Sequence, residues 1–209
     1  MTGARPQVCA HRGASRRHAD NSMAAFAAAI EMGADMIETD VRRTDAGRIV
    51  LAHDPLRGDP GDGLPALADL VRLATGRIAL DVELKEAGYE ADVLAVLDPR
   101  PAGLVVTSFL PEAVAEVRAL DPGIETGLIF RAGDRRDVLR RAADCGARVV
   151  VAHVNALDAE LTRAILESGR PLMVWTVNKR RRLTSVMANP AVSHVVTDVP
   201  DLALAIRAA

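Results

Sequence analysis

Punctuation constrains this chain more than any other feature. Gly33, Gly76, Gly146 and Gly169 each stand about one residue past a helix-like run, and a short apolar strand-like run follows each within a few residues. A glycine just past a helix takes the left-handed conformation without a Cβ penalty. The spacing predicts strands over Val8–His11, Met36–Val41, Ile78–Lys85, Leu104–Phe109, Glu125–Phe130, Arg148–His153, Leu172–Asn178 and Val192–Asp198. Between them it predicts helices over Ser22–Met32, Ala66–Thr75, Glu90–Leu97, Pro111–Leu120, Arg135–Cys145, Ala159–Ser168 and Lys179–Ala188, with Asp201–Ala208 closing the chain. Strands that alternate with helices form a parallel sheet, and eight such units are the number that closes a (β/α)8 TIM barrel. The expected organisation is one domain over residues 1–209. A doubly wound open sheet fits less well, because no phosphate-binding Gly-rich turn follows the first strand.

One segment departs from the alternation. Asp45-Ala46-Gly47 reads as a three-residue hairpin turn after the second strand. A turn centred on Ala46 pairs residues at equal distances on either side. It therefore returns His53 beside Thr39 and Asp40. The stretch Leu56–Pro65, rich in Gly, Asp and Pro, reads as an exposed loop.

Composition narrows the function. A net charge of −2 gives no global field to attract nucleic acid, and one Trp, one Tyr and three Phe are too few for base-stacking platforms. No run of 18 apolar residues is present, so stable membrane insertion is not expected. Cys9 and Cys145 are too few and too distant for a disulfide framework or a metal knuckle, and Cys9 reads as a buried small hydrophobe. With no apolar leader at the N-terminus, these features read as a cytoplasmic protein acting on a small molecule. The oligomeric state is left open.

Chemistry-bearing residues fall at or just past successive strand ends: His11-Arg12-Gly13, Glu38-Thr39-Asp40, His53-Asp54 and Glu83-Leu84-Lys85. Side chains alternate along a strand, so Glu38 and Asp40 share a face roughly 7 Å apart, as do Asp81, Glu83 and Lys85. In a barrel that face is the lumen, and C-terminal strand ends line the active mouth. Three converging carboxylates repel unless a cation or protons intervene. Glu38, Asp40 and Glu83 are therefore candidate metal ligands, and all-oxygen donation favours Mg²⁺ or Ca²⁺, with Mn²⁺ also admitted. Arg12 offers a planar fork to a phosphate and Lys85 a point charge. Lys occurs only at positions 85 and 179 against 24 Arg, so Lys85 stands out. His11 and His53 suit general acid–base work near neutral pH. The natural reaction for such a site is phosphodiester cleavage.

The same residues carry a family resemblance. His11-Arg12-Gly13-Ala14-Ser15, Asn21-Ser22 with Ala25-Phe26, and Gly33 through Val41 resemble the glycerophosphodiester phosphodiesterase family. So do Thr44-Asp45-Ala46-Gly47, His53-Asp54, Glu83-Leu84-Lys85, Ser108-Phe109, Val174 through Asn178 and Thr197-Asp198-Val199-Pro200. The resemblance implies a barrel that releases sn-glycerol 3-phosphate and an alcohol. It implies His11 and His53 as the catalytic pair, Glu38, Asp40 and Glu83 as divalent-cation ligands, and Arg12 and Lys85 as phosphate binders. It sets Trp175 at the pocket wall, in contact with substrate. Two differences stand out. Ala19-Asp20-Asn21-Ser22 replaces the usual Pro-Glu-Asn-Thr, and only Asp54–Arg77 spans the gap where the family inserts a capping subdomain. The alternatives are phospholipase D-like cleavage of lysophospholipids and a non-catalytic phosphodiester-binding module.

Several residues have two readings. His153 is a substrate contact or a structural residue, and Ser108 touches substrate or caps the next helix. Asp81 reads as a deeper support for the metal site. Asn178 is placed to cap the helix that opens with Lys179-Arg180-Arg181-Arg182, a run that is either a solvated face or a lure for anions.

Overall fold

The computed structural model describes residues 5–58, 60–133 and 137–209. In chain order the elements are β1 (Gln7–His11), α1 (Met23–Glu31), β2 (Met36–Arg43), β3 (Ile49–Leu51), α2 (Leu67–Ala74), β4 (Ala79–Leu84), α3 (Glu90–Val96), β5 (Val105–Ser108) and α4 (Pro111–Leu120). They continue with β6 (Glu125–Phe130), α5 (Val138–Asp144), β7 (Val149–His153), α6 (Ala159–Ser168), β8 (Leu172–Trp175), α7 (Arg180–Met187), β9 (Val192–Thr197) and α8 (Pro200–Ala208). All strands except β3 are parallel and pair in a ring, with β1 closing onto both β2 and β9. This is the expected (β/α)8 barrel. The open doubly wound sheet is excluded by the β1–β9 pairing. The expected start of the fifth helix, Arg135, lies outside the described residues.

Alternation along each strand divides the core. Cys9, Met36, Val105, Ile129, Val149, Val151, Met173 and Val196 fill the lumen below the mouth. The opposite faces pack outward against the helices in two larger apolar layers, one centred on Phe26, Leu67 and Leu80, the other on Leu128, Phe130 and Ile165. Burying one such aliphatic side chain is worth about 1.5–3 kcal/mol, so these layers dominate stability. Among the described residues no helix is long and apolar enough to cross a membrane.

β3 is the hairpin strand. It runs antiparallel to β2 with Val41 opposite Leu51, Arg42 opposite Val50 and Arg43 opposite Ile49, a register centred on Ala46. Thr44 closes the turn by exchanging backbone bonds with Arg48 and Gly47. Val50 then bridges to Ala66, so the loop after His53 returns to the hairpin before α2 begins. Among the described residues the span Asp54–Arg77 holds this loop and the barrel helix α2, with no separate capping subdomain.

The β1–α1 turn is tight. Arg12 and Gly13 both take positive φ, 55° and 82°. Ala14 N–H donates to Ala25 O at 2.9 Å, which presses the turn onto the start of α1. A Cβ on Gly13 would meet the Ala25 carbonyl carbon at 2.6 Å. Gly13→Ala combines that clash with an unfavourable φ, and we expect a loss of roughly 3 kcal/mol. Urea unfolding of both proteins checks this; a change under about 0.5 kcal/mol would show that the turn can relax.

Candidate active site

The parallel ladder assembles the site. His11 pairs in register with Glu38, Glu38 with Asp81, and Asp40 with Glu83. Paired residues of neighbouring strands point to the same face, so the alternation that carries Glu38 and Asp40 inward carries Asp81 and Glu83 with them. A cavity of about 400 Å³ opens over this array. Its walls include His11, Arg12, Glu38, His53, Glu83 and Lys85 on one side and Phe109, Arg131 and Trp175 on the other.

Glu38, Asp40 and Glu83 are all buried, and one carboxylate oxygen from each lies within 4.8 Å of the others. Two cations answer them. Lys85 Nζ sits 2.7 Å from Glu83 Oε1 and 3.1 Å from Asp40 Oδ1. Arg12 Nε lies 2.9 Å from Asp40 Oδ2, though its N–H is not directed along a hydrogen bond. Asn21, itself at φ 52°, donates from Nδ2 to Asp40 Oδ2 at 2.9 Å and accepts from Thr39 Oγ1 at 2.8 Å. Two non-glycine residues with positive φ, Arg12 and Asn21, thus flank one carboxylate cluster, a strained arrangement typical of functional sites.

The carboxyls differ in how well they are served. Burial alone would raise the Asp40 pKa, but Lys85 and Arg12 hold it below the usual carboxylate range. Burial raises Glu83, with Lys85 offsetting part of the effect. Glu38 is pushed well up, first by burial and then by the charges of Asp40, Glu83 and Asp81. Its Oε2 accepts from the Arg12 backbone N–H at 2.9 Å, while Oε1 is buried with no hydrogen-bond partner among the described residues. Three carboxylates against two cations leave one negative charge in excess. An unpartnered buried oxygen within that excess fits a divalent cation.

The two histidines enter the cavity by different routes. His11 Nδ1 lies 2.5 Å from Asp198 Oδ1, and its Nε2 is 3.9 Å from Glu38 Oε2. Asp198 is held in turn by Ser15 Oγ at 3.3 Å and by the Asn178 amide. Burial opposes the charge on Asp198, yet its bond to His11 keeps its pKa low. An ionised carboxylate only accepts, so Nδ1 carries the proton and Nε2 faces the reaction space. His53 comes from the hairpin and is more exposed, with Nδ1 2.8 Å from Asp54 Oδ1.

Sequence reasoning assigned Asp198 no role beyond its place in a motif. Its signal is its position at the end of the last predicted strand, which a closed ring sets beside β1. Arg12 and Lys85 border the cavity as expected, but both also hold Asp40. Asp20, one methylene shorter than the usual Glu, still reaches Arg12 Nη1 at 3.0 Å. Trp175 stands in the cavity wall, edge-on to Phe109 and to His153 at centroid distances of 5.5 and 5.1 Å. Its Nε1 is buried without a hydrogen-bond partner among the described residues. His153 caps a short 3₁₀ turn by accepting from Asn155 N–H at 3.1 Å. Ser108 donates to Leu84 O at 2.7 Å and lines no part of the cavity. Asn178 does not cap α7; its side chain bonds Thr197 and Asp198 instead, and Lys179 occupies the cap position without a side-chain bond.

Known proteins share this architecture. The pattern of the Glycerophosphoryl diester phosphodiesterase family matches residues 11–72 and 78–202. The YhdW protein of Bacillus subtilis is 30% identical over 93% of this chain and 95% of its own. A glycerophosphodiester phosphodiesterase of Caldanaerobacter subterraneus is 24% identical over 93% of this chain and 94% of its own. An Oleispira antarctica phosphodiesterase, solved in complex with the product sn-glycerol-3-phosphate, superposes with a TM-score of 0.87 at 23% identity, covering 98% of each chain.

Asp81, deeper in the lumen, accepts from Thr107 Oγ1 at 2.8 Å. Burial raises its pKa to about 7; the Thr107 bond opposes this and the charges of Glu83 and Asp40 add to it. The folded chain then keeps a proton that the unfolded chain releases above about pH 4. In excess chelator, the Asp81 contribution to stability should therefore fall as pH rises from about 4 through 7 and level off above. Asp81→Asn keeps an acceptor for Thr107 and removes the charge. Its stability should be flatter across this window and higher at pH 8 by of order 2 kcal/mol. Parallel pH profiles in urea unfolding would refute this.

Proposed function

The chain belongs to the glycerophosphoryl diester phosphodiesterase family, and from that premise we propose metal-dependent hydrolysis of glycerophosphodiesters to sn-glycerol 3-phosphate and an alcohol. The observation that carries the reading is the buried Glu38 Oε1, without a hydrogen-bond partner among the described residues, inside a three-carboxylate cluster, with two histidines lining the same cavity. The donors are all oxygen, which suits Mg²⁺ or Ca²⁺. A bound divalent cation would neutralise phosphate oxygens and reverse the local excess of negative charge.

The chain's own groups supply the rest. In this reading Glu38, Asp40 and Glu83 are the metal ligands, and Arg12 and Lys85 turn positive charge toward the phosphate while keeping Asp40 ionised. Trp175 and Phe109 form an apolar wall suited to the carbon face of glycerol, and the Trp175 indole N–H is free to donate to a hydroxyl. His11 and His53 share one chemical setting: Nδ1 against a carboxylate, leaving Nε2 to exchange a proton in the cavity. One takes the proton of the attacking hydroxyl or water, and the other protonates the departing alkoxide. Asp198 keeps His11 in the required tautomer and orientation. A non-catalytic binding module would leave both carboxylate-backed histidines without a task.

Chelation is expected to abolish turnover, and Mg²⁺, Ca²⁺ or Mn²⁺ to restore it. Full activity in excess chelator, with no metal by elemental analysis, would end the metal reading.

His11→Ala and His53→Ala should each lower kcat by about 10²-fold or more with folding nearly intact. Nitrophenolate needs no proton to depart. The variant lacking the acid should therefore be partly rescued by a nitrophenyl substrate, and the variant lacking the base should not. Equal losses on both substrates in both variants would contradict this division of labour.

A further inference from the structure

His11 is anchored through its ring by Asp198, but His53 has no comparable tether. It lies two residues beyond the end of β3, and its imidazole is 43% exposed. Among the described residues the one side chain bonded to that ring belongs to its neighbour Asp54, itself 91% exposed. A ring so placed depends on its backbone for position.

That backbone is gripped by Arg42. On β2 the residues Glu38, Asp40 and Arg42 follow one another at intervals of two, so the row that buries two carboxylates ends at the mouth in a guanidinium. The Arg42 side chain is only 7% exposed. Its Nε and Nη2 both donate to His53 O, at 3.0 and 2.8 Å. Its remaining amine, Nη1, pairs with Glu86 on the loop that follows Lys85. Ala52 N–H donates to Asp40 O at 3.0 Å, so the backbone before His53 is fixed to β2 as well. A planar fork that splits its donors between a carbonyl and a carboxylate fixes both distance and direction. A lysine, with a single point charge, fixes neither.

We propose that Arg42 is a positioning residue: it sets the reach of the His53 imidazole into the cavity and ties that reach to the Lys85 loop through Glu86. This rests on the acid–base role proposed above for His53. Arg42 also borders the cavity, but all three of its guanidinium nitrogens are engaged by His53 O and Glu86, so its effect on the reaction is assigned to the position of His53. Displacing a catalytic group by about 1 Å can lower the rate by 10²-fold.

The test is a double-mutant cycle on the metal-loaded, full-length protein with hydrogen exchange read alongside. Arg42→Met should lower kcat by about 10- to 100-fold with KM within about threefold. It should copy the leaving-group response of His53→Ala, not that of His11→Ala. In a His53→Ala background the same change should cost less than about threefold, because its target is already gone. Amide exchange in a peptide spanning Ala52–Gly58 should quicken about tenfold or more in Arg42→Met. Arg42→Lys should recover part of kcat but not the slow exchange. If Arg42→Met does not fold, Arg42→Lys and Glu86→Gln carry the same cycle with smaller losses. An undiminished loss in the His53→Ala background, or unchanged exchange in the loop, would overturn the proposal. Full activity of His53→Ala would instead end the role of His53, and the exchange readout would still decide whether Arg42 holds the segment.

Discussion

Three carboxylates are held in the dry throat of a barrel, and the rest of the site follows from keeping them there. Desolvating one ion costs several kcal/mol even after relaxation, and like neighbours add to it. Lys85 and Arg12 relieve Asp40 and Glu83. To reach Asp40, Arg12 sits at a backbone conformation few side chains adopt, and Asn21 does the same from the far end of the β1–α1 loop. The tight approach of Gly13 to α1 belongs to the same arrangement, since it lets the loop curl over the throat. What these contacts leave unrelieved is Glu38, and that residue gives the cavity its demand for a cation.

The barrel was legible because its signals are local. Apolar runs, glycine stops and the period-two placement of Glu38 with Asp40, and of Asp81 with Glu83, all lie within a few residues of one another. The hairpin was legible for the same reason: symmetry about Ala46 places Val41 against Leu51, and the observed register has that centre. Bonds made across the closed ring could not be read. Nothing near His11 in the chain announces Asp198, and Asn178 has the chemistry of a helix cap yet turns to Asp198 and Thr197. Arg12 and Lys85 were readable as cations at the mouth. That each would also be occupied by Asp40 depends on strand pairing, which fixes which side chains meet.

The two walls of the cavity have separate origins. The candidate metal ligands, both candidate histidines and the candidate phosphate binders Arg12 and Lys85 come from residues 11–85, on or just beyond β1, β2, the hairpin and β4. Phe109, Arg131 and Trp175 come from or just beyond the ends of β5, β6 and β8. Because the span Asp54–Arg77 carries no separate cap among the described residues, the second wall and the loop after His53 are what a substrate's outer portion would meet. Substitutions at Phe109 or Trp175 can reshape that wall without disturbing the bonds among Lys85, Asp40 and Glu83.

The pair formed by His11 and Asp198 spans 187 positions in sequence and 2.5 Å in space. Its members stand on either side of the seam where β1 meets β9, the first and last strands of the ring. During synthesis on the ribosome the carboxylates, the cations and both histidines emerge first, while the aspartate that orients His11 emerges only after the last strand of the ring. Until the final strand docks, the imidazole has no partner to fix its tautomer. A growing chain would therefore carry most of its catalytic groups well before β9 is made and gain a properly set His11 only when the ring can close.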